Sequence, residues 1–360
     1  MFRFFAIVFG GLVALAVAGF ALQHYLKTWG VTRTTLSEPI VIEFPRGTSL
    51  GMLAEELAQS GLISERRRFE LWVRLFSDYS RFQAGRYRFE SEVSPLEIAE
   101  KLRAGDIYAP VVLEYTIPEG FTLRQIAERL IAKGVGSQED FEHLFADSGF
   151  RASLNIEGPS LEGYTFPATY RFTEMPDPRT ALRMAVEEFW KRLPNGYRER
   201  AEALGISLDE AVRIASLIEL ETPFDDEKRL VSEVIWRRLN DKAPLAIDAS
   251  IIYGIPDYAG DLTSRHLRDR SNLYNSRVHV GLPPTAIGAP GSASLSAALE
   301  PAAEGNYFYV LDLETGRHHF SKTFKEHQGK VRELVRGLRE QRIKERRAEQ
   351  AARRAARSER

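Results

Sequence analysis

The chain contains no cysteine. Disulfides, a thiol nucleophile and cysteine-ligated zinc are therefore excluded, which suits the cytoplasm or an envelope compartment that needs no oxidative folding. Its seven histidines include no i,i+4 pair, so an HExxH-type metal helix is absent. There is no GxSxG and no Walker A sequence, and the Gly134/Gly136 pair lacks the third glycine of a dinucleotide fingerprint. The expectation is an activity without metal or cofactor. Beyond the first two dozen residues there is also no second long apolar run.

What is present is ordinary for a globular chain: 44% apolar and 28% charged residues over 360 positions, enough for two or three domains with a real core. The net charge of −1 hides an asymmetry, because from Lys330 to Arg360 twelve Lys/Arg face five Asp/Glu, net +7, leaving −8 for the rest. Residues 331–360 are predicted to be a basic helical tail, amphipathic to about Ile343 and solvated beyond it, with no nucleic-acid role. At the other end, Phe4 to Leu22 is a run of 19 apolar or small residues. As a helix it measures about 28 Å, enough to cross a bilayer's hydrocarbon core. Tyr25 and Trp29 follow as an interfacial flank. Ala16-Val17-Ala18 would fit a cleaved signal peptide, but the run continues past it. Residues 1–25 are therefore read as a retained transmembrane anchor and 26–38 as a linker, with everything after Gln23 on one side of the membrane.

An internal repeat follows. Pro45, Gly47, Leu50, Ala54, Leu57 and Gly61 match Pro118, Gly120, Leu123, Ala127, Leu130 and Gly134 at a constant offset of 73. Each copy reads as strand, turn, helix, second helix and a strand containing Tyr-Arg-Phe, at Tyr87 to Phe89 and Tyr170 to Phe172. The second copy, 111–172, carries about ten extra residues around Asn155 to Tyr164. A βααβ unit of this size resembles the LysM carbohydrate-binding module, and 39–106 is read as LysM-like. The extra stretch leads into Leu161 to Tyr170 (LEGYTFPATY), whose acid Glu162 and rings such as Tyr164 suit the rim of a sugar site. A well-packed hairpin with those rings in the core is the competing reading.

The rest of the chain is organised around Ser207 to Pro223 (SLDEAVRIASLIELETP). Ser207 and Glu210 form a capping-box start and Pro223 a stop. From Ala211 to Leu220 the helix is apolar except for Arg213, Ser216 and Glu219, spaced three apart on one narrow stripe. The stripe is read as the floor of a cleft, with Glu219 as its acid. The helix's negative end and part-burial both favour a carboxyl that keeps its proton. Glu221, two residues on, points about 200° away and is read as structural. Downstream lie Leu245 to Gly254 with Asp248, Tyr274-Asn275-Ser276, and the stiff Pro/Gly loop Gly281 to Gly291 (GLPPTAIGAPG). His318 opens the segment HHFSKTFKEH.

These motifs, in this order, resemble the YceG/MltG-like endolytic murein transglycosylases of bacteria, and the resemblance spans nearly the whole chain. It implies an α+β fold: a single transmembrane helix, the LysM-like module, and a catalytic domain over 107–330. It further implies a lytic transglycosylase that cleaves the β-1,4 bond between N-acetylmuramic acid and N-acetylglucosamine in nascent peptidoglycan, limiting strand elongation. The first Glu of the family's ASxxExE helix is its catalytic acid, here Glu219. Glu162, Tyr164, Ser216, Asp248, Asn275 and His318 are the candidate substrate-binding residues. The implied partners are glycan strands, cell-wall synthases and the inner membrane, with the catalytic domain on the extracytoplasmic side. Ala249 and Ala168 depart from the family's usual Pro and Asp. Two alternatives stand beside this reading. One is a hydrolytic muramidase that pairs Glu219 with Glu162 or Asp248, since hydrolysis needs a second carboxylate. The other is an inert glycan-binding scaffold.

Overall fold

The computed structural model describes residues 2–358. Met1 of the predicted anchor and the last two residues of the predicted tail, Glu359 and Arg360, lie outside the described residues. The chain divides into two units between Pro110 and Val111.

The first unit begins with α1 (Phe2–Gly30), followed by β1 (Thr34–Thr35), β2 (Ile40–Phe44), α2 (Leu50–Gln59), α3 (Arg66–Phe76), β3 (Gly85–Phe89), β4 (Glu92–Val93) and α4 (Pro95–Ala104). Residues Phe9–Gly30 make one helix long and apolar enough to cross a membrane, the only such helix among the described residues. Its end is not a linker. The helix runs through Gly30; Leu26 is buried and Trp29 packs against the unit's core, with the Arg68 guanidinium over the rings of Tyr25 and Trp29. Thr34 and Thr35, also expected in the linker, pair antiparallel with Val93 and Glu92. Hydropathy marks an apolar run, but it cannot register that the last turn has a partner in α3. The core lies between the β2–β3 ribbon and α2, α3 and α4, and includes Ile42, Phe44, Leu53, Leu57, Phe69, Trp72, Tyr87 and Ile98.

The second unit opens with β5 (Leu113–Thr116), α5 (Leu123–Ala132), α6 (Gln138–Ala146), α7 (Ser148–Ser153) and β6 (Thr169–Phe172). This is the βααβ pattern again, with α7 just before the extra stretch. The two strand pairs have the same register. In the first copy Ile42 faces Tyr87 across β2–β3; in the second Tyr115, 73 residues after Ile42, faces Tyr170 across β5–β6. Each tyrosine hydroxyl donates to the carbonyl four residues before it: Tyr87 to Gln83 at 2.7 Å, Tyr170 to Phe166 at 2.6 Å.

There follow α8 (Pro178–Arg192), α9 (Tyr197–Ala203), α10 (Leu208–Glu221), α11 (Asp225–Asn240), α12 (Asp248–Tyr253), α13 (Ser292–Leu299), the hairpin β7 (Phe308–Leu311) and β8 (His318–Ser321), and α14 (Phe324–Ser358). Helix α10 starts at the expected capping box, with Ser207 and Glu210 each bonding the other's backbone N–H. Eight of its residues are buried, and α9, α11, α12 and α13 pack around it. An apolar helix enclosed this way can present a polar side chain only where a neighbour answers it.

Candidate active site

The stripe on α10 is answered rung by rung by the loop 281–291. Arg213 Nη1 donates to the Pro283 carbonyl at 3.2 Å, the Ile287 N–H donates to Ser216 Oγ at 3.1 Å, and the Gly291 N–H donates to Glu219 Oε2 at 2.8 Å. Buried backbone in a stiff loop needs partners it cannot supply from regular structure, and the stripe provides them. The sequence reading placed the stripe on the floor of an open cleft. Arg213 and Ser216 are instead the seat of the loop, and Ser216 is fully buried.

Glu219 ends the stripe and meets more than the loop. Lys228, one turn into α11, donates from Nζ to Glu219 Oε1 at 3.2 Å. Only 4% of the Glu219 side chain and 2% of the Lys228 side chain is exposed. Lys228 also pairs with Asp225 at 3.1 Å, whose side chain is largely in solvent. Burial alone would lower the Lys228 pKa, but Glu219 and Asp225 together outweigh it and hold the ammonium above its usual range. The turn Pro118–Phe121 closes the group. The Gly120 N–H donates to the Ala289 carbonyl at 2.8 Å, and the Ala289 N–H donates to the Phe121 carbonyl at 2.9 Å. This docking brings Glu119 beside Gly291. Burial, and then the nearby Glu219 charge, push the Glu119 carboxyl above the ordinary range.

The other predicted residues lie elsewhere, for physical reasons. Tyr164 is not on a rim: it is 1% exposed, packed on Phe189 and Trp190, with its hydroxyl donating to Asp209 at 3.2 Å. The rings of this stretch lie in the core, as the competing reading held, but it is no hairpin: 161–168 is turn and loop, and Thr169–Phe172 pairs with Leu113–Thr116. Glu162 is also buried. Its carboxylate accepts the Leu123 N–H at the start of α5 and the Tyr253 hydroxyl at 2.9 Å, and burial raises its pKa to about 7. Asn275 is fully buried and donates to the carbonyls of His266 and Asp269, so its amide pins a loop and does not face a ligand. Asp248 is exposed but held by the Arg277 guanidinium at 2.8 and 3.0 Å. The His318 ring lies 2.8 Å from the buried Glu227 carboxylate, which also accepts the His318 N–H and the Thr222 hydroxyl. Burial works against the Glu227 charge, but these bonds outweigh it and hold its carboxyl below the usual range. Glu221 accepts from the Tyr309 hydroxyl at 2.7 Å, and burial pushes its carboxyl up.

Sequence reasoning passed over Lys228 and Glu119. Lys228 is hidden behind the acidic first turn of α11, which a helix dipole explains without further roles. Glu119 had a readable signal: the duplicated turn is Pro-x-Gly in both copies, and its middle residue is Arg46 in one and Glu119 in the other.

The second unit is thus an α+β domain whose buried central helix ends in a carboxylate, ion-paired to a buried lysine and enclosed by glycine- and proline-rich backbone. The chain belongs to the YceG-like family, whose model matches residues 42–333. It is 29% identical over 304 residues to the endolytic murein transglycosylase of Bacillus subtilis, covering 79% of this chain and 82% of that protein. It is 24% identical over 368 residues to the protein of the same name from Streptococcus pneumoniae, covering 92% of this chain. The chain spans 65% of the length of that streptococcal relative. The crystal structure of a yceG-like protein from Listeria monocytogenes matches with a TM-score of 0.55 at 27% identity, covering 82% of this chain and 99% of that one.

Proposed function

We propose that this chain is an endolytic murein transglycosylase with Glu219 as its acid and base. Family membership supports the activity. The observation that carries the assignment to Glu219 is that, of the three stripe residues, it alone meets an ionised side chain from another helix, Lys228, besides the loop. In this reading Glu219 protonates the glycosidic oxygen as the bond to the anomeric carbon breaks. The same carboxylate then takes the proton of the muramoyl 6-hydroxyl, which attacks the anomeric carbon and leaves a 1,6-anhydro end. One carboxylate serves both steps because the nucleophile lies within the substrate. Hydrolysis would need a second carboxylate. The two foreseen for that role are engaged elsewhere, Glu162 with the start of α5 and Asp248 with Arg277, and with Glu119 also near Glu219 the product analysis below decides between the two routes.

The proposal extends to the cell. Helix α1 anchors the protein in the bacterial inner membrane with the chain that follows it on the extracytoplasmic side, beside new glycan and its synthases. Residues 39–106 serve as a LysM-like glycan-holding module, 107–330 as the catalytic domain, and the basic tail as a solvated extension. The test is digestion of sacculi by wild type and Glu219→Gln, with products read by mass spectrometry. The expected outcome is anhydro-muramoyl ends from the wild type and no cleavage by the variant, with sacculus binding retained. Reducing ends from the wild type would replace the lytic reading with a hydrolytic one, and undiminished cleavage by Glu219→Gln would remove Glu219 from the mechanism.

A further inference from the structure

Glu119 is a second carboxyl at this site, and the mechanism above makes no use of it. Both carboxyls rest on one residue, Gly291. Its N–H binds Glu219 Oε2 at 2.8 Å, while a Cβ built on it would stand 2.0 Å from Glu119 Oε1. The backbone of Gly291, at φ −79° and ψ 173°, is open to any residue. Glycine there leaves room for the Glu119 carboxyl, which any side chain would push aside.

The two acids differ in what holds them. Glu219 accepts N–H bonds at both oxygens, from Lys228 and Gly291. Among the described residues none donates a hydrogen bond to Glu119; it is governed by burial and by the charges that face it, Glu219 and Asp225 against Lys228. Both Glu219 oxygens are already bonded, whereas neither Glu119 oxygen is held by a donor among the described residues, which leaves Glu119 the member of the pair free to carry a proton.

We propose that Glu119 is the proton-storing partner of Glu219, a positioning residue that acts through it. This rests on Glu219 being the acid. The Glu119 O–H breaks as a Glu219 O–H forms, and Glu219 passes that proton to the glycosidic oxygen as the sugar bond breaks. When the 6-hydroxyl oxygen bonds the anomeric carbon, its proton goes to Glu219 and returns to Glu119. No proton is gained or lost over the cycle.

The test is the pH profile of kcat and KM on soluble, uncrosslinked glycan strands for wild type, Glu119→Gln, Glu119→Asp, Gly291→Ala and the double variant Glu119→Gln/Gly291→Ala. Glu119→Gln lowers kcat by about tenfold or more, leaves KM within about twofold, and moves the alkaline limb, which in the wild type follows loss of the Glu119 proton. Glu119→Asp keeps a titrating carboxyl and recovers part of kcat. Gly291→Ala keeps the N–H to Glu219 but its methyl displaces the Glu119 carboxyl, so it reproduces the Glu119→Gln profile, and the double variant is no worse than either. If kcat stays within about twofold in Glu119→Gln, or its alkaline limb does not move, the proposal is overturned. Thermal unfolding checks each fold, and if Gly291→Ala does not fold, Glu119→Gln decides alone. Residual cleavage by Glu219→Gln would instead overturn the underlying reading, so the two failures are distinguishable.

Discussion

In both βααβ units a Pro-x-Gly turn joins the first strand to the first helix: Pro45-Arg46-Gly47 in one, Pro118-Glu119-Gly120 in the other. The backbones agree. The N–H three residues after the proline bonds back to the proline carbonyl in each, and Gly47 and Gly120 take φ of +87° and +74°, a region only glycine enters freely. The surroundings do not agree. A Cβ on Gly47 would meet nothing within 4 Å, whereas one on Gly120 would stand 2.8 Å from Leu220 at the end of α10. The first turn lines a cavity with Phe44, Leu53, Tyr79 and Phe82. The second is bonded to the 281–291 loop and places an acid where the first has a base. The two units share one local scaffold, and the contacts around each turn separate a structural turn from a turn at the candidate site.

Exchanging the differing residues is the strongest way to break that comparison. Glu119→Arg sets a second cation near Lys228 and is expected to abolish glycan cleavage, while Arg46→Glu keeps cleavage within about twofold; equal losses in the same assay would make the two turns equivalent. The stretch found only in the second copy gives a smaller effect, on stability. Burial raises the Glu162 pKa to about 7, above the ordinary carboxyl value of 4.5, so the folded state holds a proton that the unfolded chain has released. The stabilisation is full below the unfolded value and lost as pH rises through about 7. Denaturant unfolding at pH 5 and pH 8 should show the wild type losing about 3 kcal/mol more than Glu162→Gln over that interval. Identical pH slopes would mean that Glu162 is not protonated in the folded chain. The smallest effect tests what the copies share. Tyr87→Phe and Tyr170→Phe each remove the same tyrosine–carbonyl bond, and each should cost about 1 kcal/mol in unfolding experiments. A cost at only one position would show that the shared bond no longer does the same work in both.

Much of this was legible without coordinates because it depends on local pattern. The capping box and Pro223 bounded α10 to within a residue or two, and the 73-residue offset predicted two βααβ units, whose first strands are related by that shift and whose second strands by about ten residues more. Spacing found the Arg213–Ser216–Glu219 stripe. It did not reveal what covers the stripe, because that partner lies some seventy residues downstream. Tyr164, Asn275 and Glu162 drew attention by residue type. Whether a ring or an amide faces a ligand or a neighbour's carbonyl depends on packing, and here packing buried all three.

The sequence by itself determined the spacing of polar and apolar residues, the turns, the apolar first helix and the order of motifs that marks the family. Those are properties of neighbours along the chain, where helix period and cap chemistry act. The tertiary structure alone decided that Lys228 neutralises Glu219, that loop 281–291 lies along the α10 stripe, and that Gly291 carries two carboxyls side by side. Charge pairing and close approach act through space, between segments whose meeting no local pattern records.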